Sequence, residues 1–147
     1  MRYVLDTNII LAYLRKHPVW SLIEFRLKIF DQQSIIFVPS MVVAELRSLA
    51  LQNKWGIIKR QELDIYLNEF VRIDKMTNEI VNRYAEIDAY SQGKLDTKPF
   101  ADSARNMGKN DLWIAAITSV LNATLITTDK DFQHLHKHFL QVAYFDI

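Results

Sequence analysis

Four acidic residues stand where the chain passes from one element to the next. Asp6 follows the apolar run Tyr3-Val4-Leu5, and Glu45 lies in the helix-like stretch after Ile35-Ile36-Phe37-Val38. Asp111 opens a long amphipathic stretch, and Asp129 comes directly after Thr124-Leu125-Ile126-Thr127-Thr128. Each has a plain structural reading. Asp is among the best helix N-caps, because its carboxylate accepts the free N–H groups of a first turn, and this suits Asp6 and Asp111. Glu45, at i+3 from Val42 and i−4 from Leu49, points into the apolar stripe of its helix. There it needs a partner, either a cation such as Arg47 or Arg2 or a metal ion, because a lone desolvated carboxylate is costly. Together the four point further. In a parallel α/β sheet, the positions just after strands and in the first turns of helices gather on one edge. Four carboxylates there repel one another unless a divalent cation holds them, and oxygen donors with no sulfur suit Mg²⁺ or Mn²⁺.

The elements that must position these acids are legible in the hydrophobic pattern. Residues 3–5 read as a first strand and 7–14 as a helix; after a break at His17-Pro18, Leu22, Ile23, Leu27 and Phe30 suggest a second helix over 20–30. The β-prone run 34–38 reads as a strand buried on both faces, closed by Pro39-Ser40 with Ser40 a natural N-cap for a helix over 41–52. A turn at 53–56 leads to a helix over 57–70, forming a hairpin with the one before. A short strand at 71–73 and a helix over 77–91 follow, with Asp88 a rim residue. Residues 92–110, broken by Gly93, Pro99 and Gly108, read as a loop that is locally basic through Lys94, Lys98, Arg105 and Lys109. Such a loop serves either recognition or mere connection. Asn110-Asp111 then opens a helix with Trp113, Ala116, Ile117, Val120 and Leu121 on one face, and 124–127 is a further strand. His134, His136 and His138 are expected on an exposed last helix rather than on a metal, since no Cys or Glu is grouped with them. A final strand is expected at 142–145.

The bulk composition bounds the function. A chain of 147 residues, half of them hydrophobic, with three Gly and three Pro, is expected to form one regular domain over 1–147. It contains no cysteine, which excludes disulfides and thiolate metal sites. No apolar run approaches the roughly 18 residues of a membrane span, and the first residues do not read as a signal peptide, so a soluble, cytoplasmic protein is expected. The net charge of +1 does not announce a nucleic-acid binder, and any such binding must come from local patches.

Four short stretches carry a resemblance to a family. Val4-Leu5-Asp6-Thr7-Asn8, Val43-Ala44-Glu45-Leu46, Lys109-Asn110-Asp111-Leu112-Trp113-Ile114-Ala115-Ala116 and Leu125-Ile126-Thr127-Thr128-Asp129-Lys130-Asp131-Phe132 resemble, in order and spacing, the PIN-domain ribonucleases, and among them the VapC-type toxins of bacterial toxin–antitoxin pairs. The resemblance implies a single three-layer PIN-like α/β domain, a mostly parallel sheet flanked by helices, and a metal-dependent endoribonuclease. By position Asp6, Glu45, Asp111 and Asp129 match the family's acidic quartet, binding Mg²⁺ or Mn²⁺, with Asn8 and Thr127 as supporting polar residues. Asp131 reads as part of the following turn, or as sharing a second metal. Such a site would activate water on an RNA phosphodiester with no protein nucleophile. Arg15, Lys16, Lys94, Lys98, Arg105, Lys109 and Lys130 are the candidates for guiding the RNA backbone. The resemblance further implies a homodimer and an antitoxin partner. The antitoxin would cover the helical hairpin around Leu49, Leu51, Trp55 and Ile58, residues for which an ordinary core contact is the alternative.

Other α/β domains also hold Mg²⁺ in acidic pockets. A receiver-like phospho-acceptor wants adjacent acids after its first strand, and a dehalogenase-like phosphatase wants Asp-x-Asp; this chain has Asp6-Thr7-Asn8 and no acid in Val38-Pro39-Ser40. A non-catalytic nucleic-acid-binding module of the same fold would be marked by missing acids, and none is missing.

Overall fold

In the computed structural model, which describes residues 1–147, the apolar runs become strands of one sheet. These are β1 (Arg2–Leu5), β2 (Ile35–Pro39), β3 (Val71–Ile73), β4 (Thr124–Thr127) and β5 (Gln141–Tyr144). All pairings are parallel, in the order β3-β2-β1-β4-β5. Six helices connect them: α1 (Thr7–Leu14), α2 (Val19–Leu27), α3 (Ser40–Gln52), α4 (Ile57–Leu67), α5 (Asn78–Ser91) and α6 (Lys109–Val120). The parallel sheet flanked by helices expected from the pattern is thus present.

The strands read as unbroken apolar runs because helices cover both faces of the sheet. Val4, Leu5, Leu125 and Ile126 have no exposed surface, nor have Ile9 and Ile10 of α1 or Ile114 and Ile117 of α6. Each such side chain contributes about 1.5–3 kcal/mol of burial, so the middle of the sheet is where the fold is most strongly held. β1 lies between β2 and β4, with Val4 opposite both Phe37 and Leu125. From β1 the chain builds outward through β2 to β3, then returns to the other side of β1 for β4 and β5. The strand order therefore reverses beside β1, which makes the carboxyl ends of β1 and β4 the topological switch point.

Several element ends differ from the pattern's expectation. α2 stops at Leu27 rather than Phe30, because Lys28 turns into the left-handed region (φ 50°) and Ile29, not Phe30, enters the core. α4 stops at Leu67, and Phe70 is buried from the connection to β3. Ser40 does not cap α3: Pro39 holds the extended cap position and Ser40 is already the first helical residue, with no side-chain capping bond. The histidines are not on a final helix. The segment after β4 is a tight 3₁₀ turn, Lys130–Leu135, and His136 resumes an extended course toward β5. His134 and His136 are half-buried, and the His136 Nδ1 accepts the Val142 N–H at 2.9 Å.

Candidate active site

Asp6 is both a helix cap and a member of an acidic cluster. Its backbone N–H still belongs to the sheet, donating to the Ile126 carbonyl at 3.1 Å, so the first residue past β1 is locked against β4. Its Oδ1 accepts the Thr7 N–H at 2.8 Å, and its Oδ2 accepts the Thr127 hydroxyl at 2.7 Å. Burial pushes its carboxyl above the ordinary range; the two hydrogen bonds oppose this, and Glu45 and Asp129 add to it. The capping reading of Asp6 is correct and incomplete, because a cap alone does not explain carboxylates on every side.

Thr127 is the hinge of the arrangement. It is fully buried at the end of β4, and while its hydroxyl donates to Asp6, the same oxygen accepts the Asp129 N–H at 3.0 Å. Asp129 in turn accepts the Asp131 N–H at 2.8 Å, closing the turn that leads into the 3₁₀ segment. The carboxylate oxygens of Asp111, Asp129 and Asp131 consequently lie within 4.8 Å of one another. Asp131, expected mainly as a turn residue, stands in the cluster itself.

Glu45 approaches from α3. Its Oε2 accepts the Thr7 hydroxyl at 2.6 Å and its Oε1 accepts the Asn110 amide at 2.9 Å. One carboxylate therefore joins the first turns of α1 and α6. Neither proposed cation takes it, since Arg47 faces Asp64 at 4.0 Å and Arg2 donates to the Leu121 carbonyl. Asn8, the expected supporting residue, is exposed, and its side chain makes no hydrogen bond within the protein. Its neighbour Thr7 and the unforeseen Asn110 do that work. A helix residue one position on points about 100° away, so Asp6-Thr7-Asn8 and Lys109-Asn110-Asp111 named the right turns without fixing which side chain faces inward.

Asp111 sits in the first turn of α6, half-buried. Its carboxyl is pushed up to about 6, chiefly by burial and then by Asp6, Asp129, Glu45 and Asp131. No Lys or Arg approaches any of the five acids within ion-pair distance; the salt bridges of the protein are Arg47–Asp64 and Arg83–Glu86. Five oxygen-donor side chains, mutually repelling and without a cation, fit a hard divalent ion.

The basic candidates divide. Arg15 caps the far end of α1, about 13–14 Å along the helix axis from Asp6 at 1.5 Å per residue. Lys98 is occupied: its Nζ donates to the His138 carbonyl at 2.6 Å and lies 4.4 Å from the Phe139 ring. Lys130 is exposed, 5.9 Å from the Tyr144 ring. Lys109 is exposed at the first residue of α6, and Arg105 lines a cavity together with Asp131.

The PIN domain family model matches residues 3–137. The chain belongs to the PIN-domain family. Ribonuclease VapC2 of Rickettsia felis is 30% identical over 142 residues, covering 96% of this chain and 97% of that one. Among solved structures, VapBC2 of Rickettsia felis bound to a DNA fragment from its promoter superposes with a TM-score of 0.78 at 28% identity, covering 99% of this chain and 100% of that one. VapBC-1 of nontypeable Haemophilus influenzae gives 0.75 at 28% identity, with 98% of each chain covered. The resemblance drawn from the four acidic motifs is borne out.

Proposed function

We infer that this protein is a VapC-type endoribonuclease that hydrolyses RNA phosphodiesters at its carboxylate cluster, with residues 1–147 acting as one PIN-like domain. The observation that carries this is the crowding of five acids, without a basic partner, at the switch point of the sheet. Asp111, Asp129 and Asp131 would hold the metal ion, Mg²⁺ or Mn²⁺, with Asp6 and Glu45 beside them. Such an ion, when bound, supplies positive charge to a phosphodiester and makes a water more acidic. The protein's own groups do the positioning. Thr127 and the Thr7 N–H fix the Asp6 carboxylate, and Thr7 and Asn110 fix that of Glu45. Fixed oxygens in a part-buried site need no reorganisation as charge develops. The exposed Lys109 and Arg105 flank this edge and are the side chains best placed to draw a polyanion to it.

The test is cleavage of RNA with Mg²⁺ or Mn²⁺, with and without chelator, for wild type and Asp6→Asn. Asn serves nearly as well as an N-cap but lacks the charge. Loss of metal-dependent cleavage with a fold at least as stable supports the site. Cleavage that survives chelation, or the substitution, removes it.

The structural neighbours in this group are toxin–antitoxin complexes, and a surface here suits such a partner. Leu51, Ile57, Ile58 and Ile65 of the α3–α4 hairpin are each more than three-fifths exposed, whereas Leu49 and Trp55 pack on the core. Alongside them, α1, α2 and α4 enclose a cavity of about 520 Å³ containing Tyr13, Trp20 and Tyr66. An apolar stripe of this size suits an amphipathic antitoxin segment. No helix is long and apolar enough to cross a membrane, in keeping with a cytoplasmic toxin. The family resemblance also implies a homodimer, which light scattering after size exclusion would measure.

A further inference from the structure

A cavity of about 210 Å³ lies beside the acidic cluster, lined by Arg105, Asn106, Met107 and Asp131. Asp131 also belongs to the three aspartates gathered within 4.8 Å, so the cavity and the cluster share a wall. The remaining wall comes from a stretch without regular secondary structure, yet it is fastened at the lining residues themselves. The Arg105 N–H donates to the Ser91 carbonyl at 2.7 Å, and the Gln92 amide donates to the Asn106 Oδ1 at 3.2 Å. The fully buried Ser91 hydroxyl reaches the Met107 Sδ at 3.5 Å and the His134 Nε2 at 2.8 Å. His134 belongs to the same short 3₁₀ turn as Asp131. One serine and one histidine therefore hold the loop and the acidic turn in a fixed relation.

Anchoring alone does not use the functional groups left over. The Arg105 guanidinium makes no ion pair or hydrogen bond and the Asn106 NH₂ has no acceptor, and the Asp131 carboxylate, an acceptor, lines the same cavity. Unused donors thus stand around a cavity whose acceptor, Asp131, belongs to the acidic cluster itself. A phosphate would use only the donors and would meet the Asp131 carboxylate. A base edge uses both kinds of group, and unpaired RNA bases are bound by hydrogen bonds to such edges and by stacking on guanidinium planes. Met107 adds a polarisable thioether contact.

We propose that this cavity receives the unpaired RNA base next to the scissile phosphate, with guanine favoured, and so sets where the protein cuts. Guanine is favoured because a guanidinium presents two parallel donors that match its O6 and N7. The proposal rests on the ribonuclease reading. The test sequences the ends released from a randomised single-stranded RNA pool in Mn²⁺ by wild type, Asn106→Ala and Arg105→Lys. Lysine keeps the charge and loses the planar pair of donors. Wild type is expected to enrich guanine at one position beside the cut, and each variant to lower that enrichment about tenfold while preferences elsewhere in the site remain. In chelator, millimolar guanosine monophosphate is expected to shift the side-chain amide NMR signals of Asn106 and Gln92 more than cytidine monophosphate does. Cutting preferences identical in wild type and both variants overturn the proposal and leave the ribonuclease reading standing. Amide signals that stay in place with guanosine monophosphate also overturn it. A pool left uncut by wild type defeats the ribonuclease reading, and the role in cut-site choice falls with it.

Discussion

Replacing Asp111 with Asn should make the metal-free protein more stable while abolishing its response to metal. The Asp111 carboxyl is pushed from an ordinary 3.8 to about 6 by burial and four neighbouring acids. At about 1.4 kcal/mol per pKa unit, this is roughly 3 kcal/mol against the ionised form at neutral pH. Partial exposure screens that to about 1–2 kcal/mol. Asp111 also lies in the first turn of α6, where a negative charge gains about 0.3–1 kcal/mol from the helix dipole, so the net gain on neutralisation is about 1 kcal/mol. For a domain of this size that raises Tm by about 3–4 °C. The sign with pH follows from linkage. The folded-state pKa is above the unfolded one, so between about pH 4 and 6 the folded protein binds more protons, and stability falls as pH rises through that window. Thermal melts in chelator at pH 7.5 and pH 5 measure both effects. Wild type should gain on acidification and Asp111→Asn should gain less, while added Mn²⁺ should raise Tm at pH 7.5 for wild type and little for the variant. A variant less stable than wild type at pH 7.5 in chelator would refute the reasoning, because the carboxylate would then be a stabilising cap rather than a strained ligand.

Three further outcomes follow from contacts at and around the site. Thr127→Val, close to isosteric at a fully buried position, removes the donor to Asp6 and the acceptor for the Asp129 N–H; it should cost about 1–3 kcal/mol in a denaturant melt and at least tenfold in RNA cleavage. Asn110→Ala removes only an exposed amide from Glu45, so Tm should move by less than about 3 °C while cleavage falls, a split that calorimetry beside a cleavage assay would show. Leu51→Asp and Ile58→Asp change exposed residues and should leave stability within about 0.5 kcal/mol. Either should weaken capture of a co-expressed antitoxin, and full recovery of the partner with both would remove that surface from the reading.

The acids were legible because the features that mark them are local and the topology that unites them is general. An Asp directly after an apolar run is visible in one dimension, and parallel sheets bring such positions to one edge. Here Asp6 and Asp129 flank neighbouring strands for that reason, with the β1–β4 register continued by the bond from the Asp6 N–H to Ile126. The partners of those acids were less legible. Thr7 and Asn110 lie one residue from expected site positions, and choosing between adjacent residues requires the rotation of a helix about its axis, which packing sets. Helix ends blurred for a different reason. The left-handed position that closes α2 falls to Lys28, a residue with little stop signal of its own, whereas Gly93 and Asn122, which do carry one, close α5 and α6. The histidines show the same limit at a larger scale. Their i, i+4 spacing is helical on paper, but the turn begun by Asp129 and Asp131 tightens the backbone into a 3₁₀ segment, so the geometry that serves the acids also overrides the local pattern beyond them. His134 consequently faces Ser91 instead of solvent, and a contact between residues 43 positions apart becomes the support for the wall beside the acidic cluster.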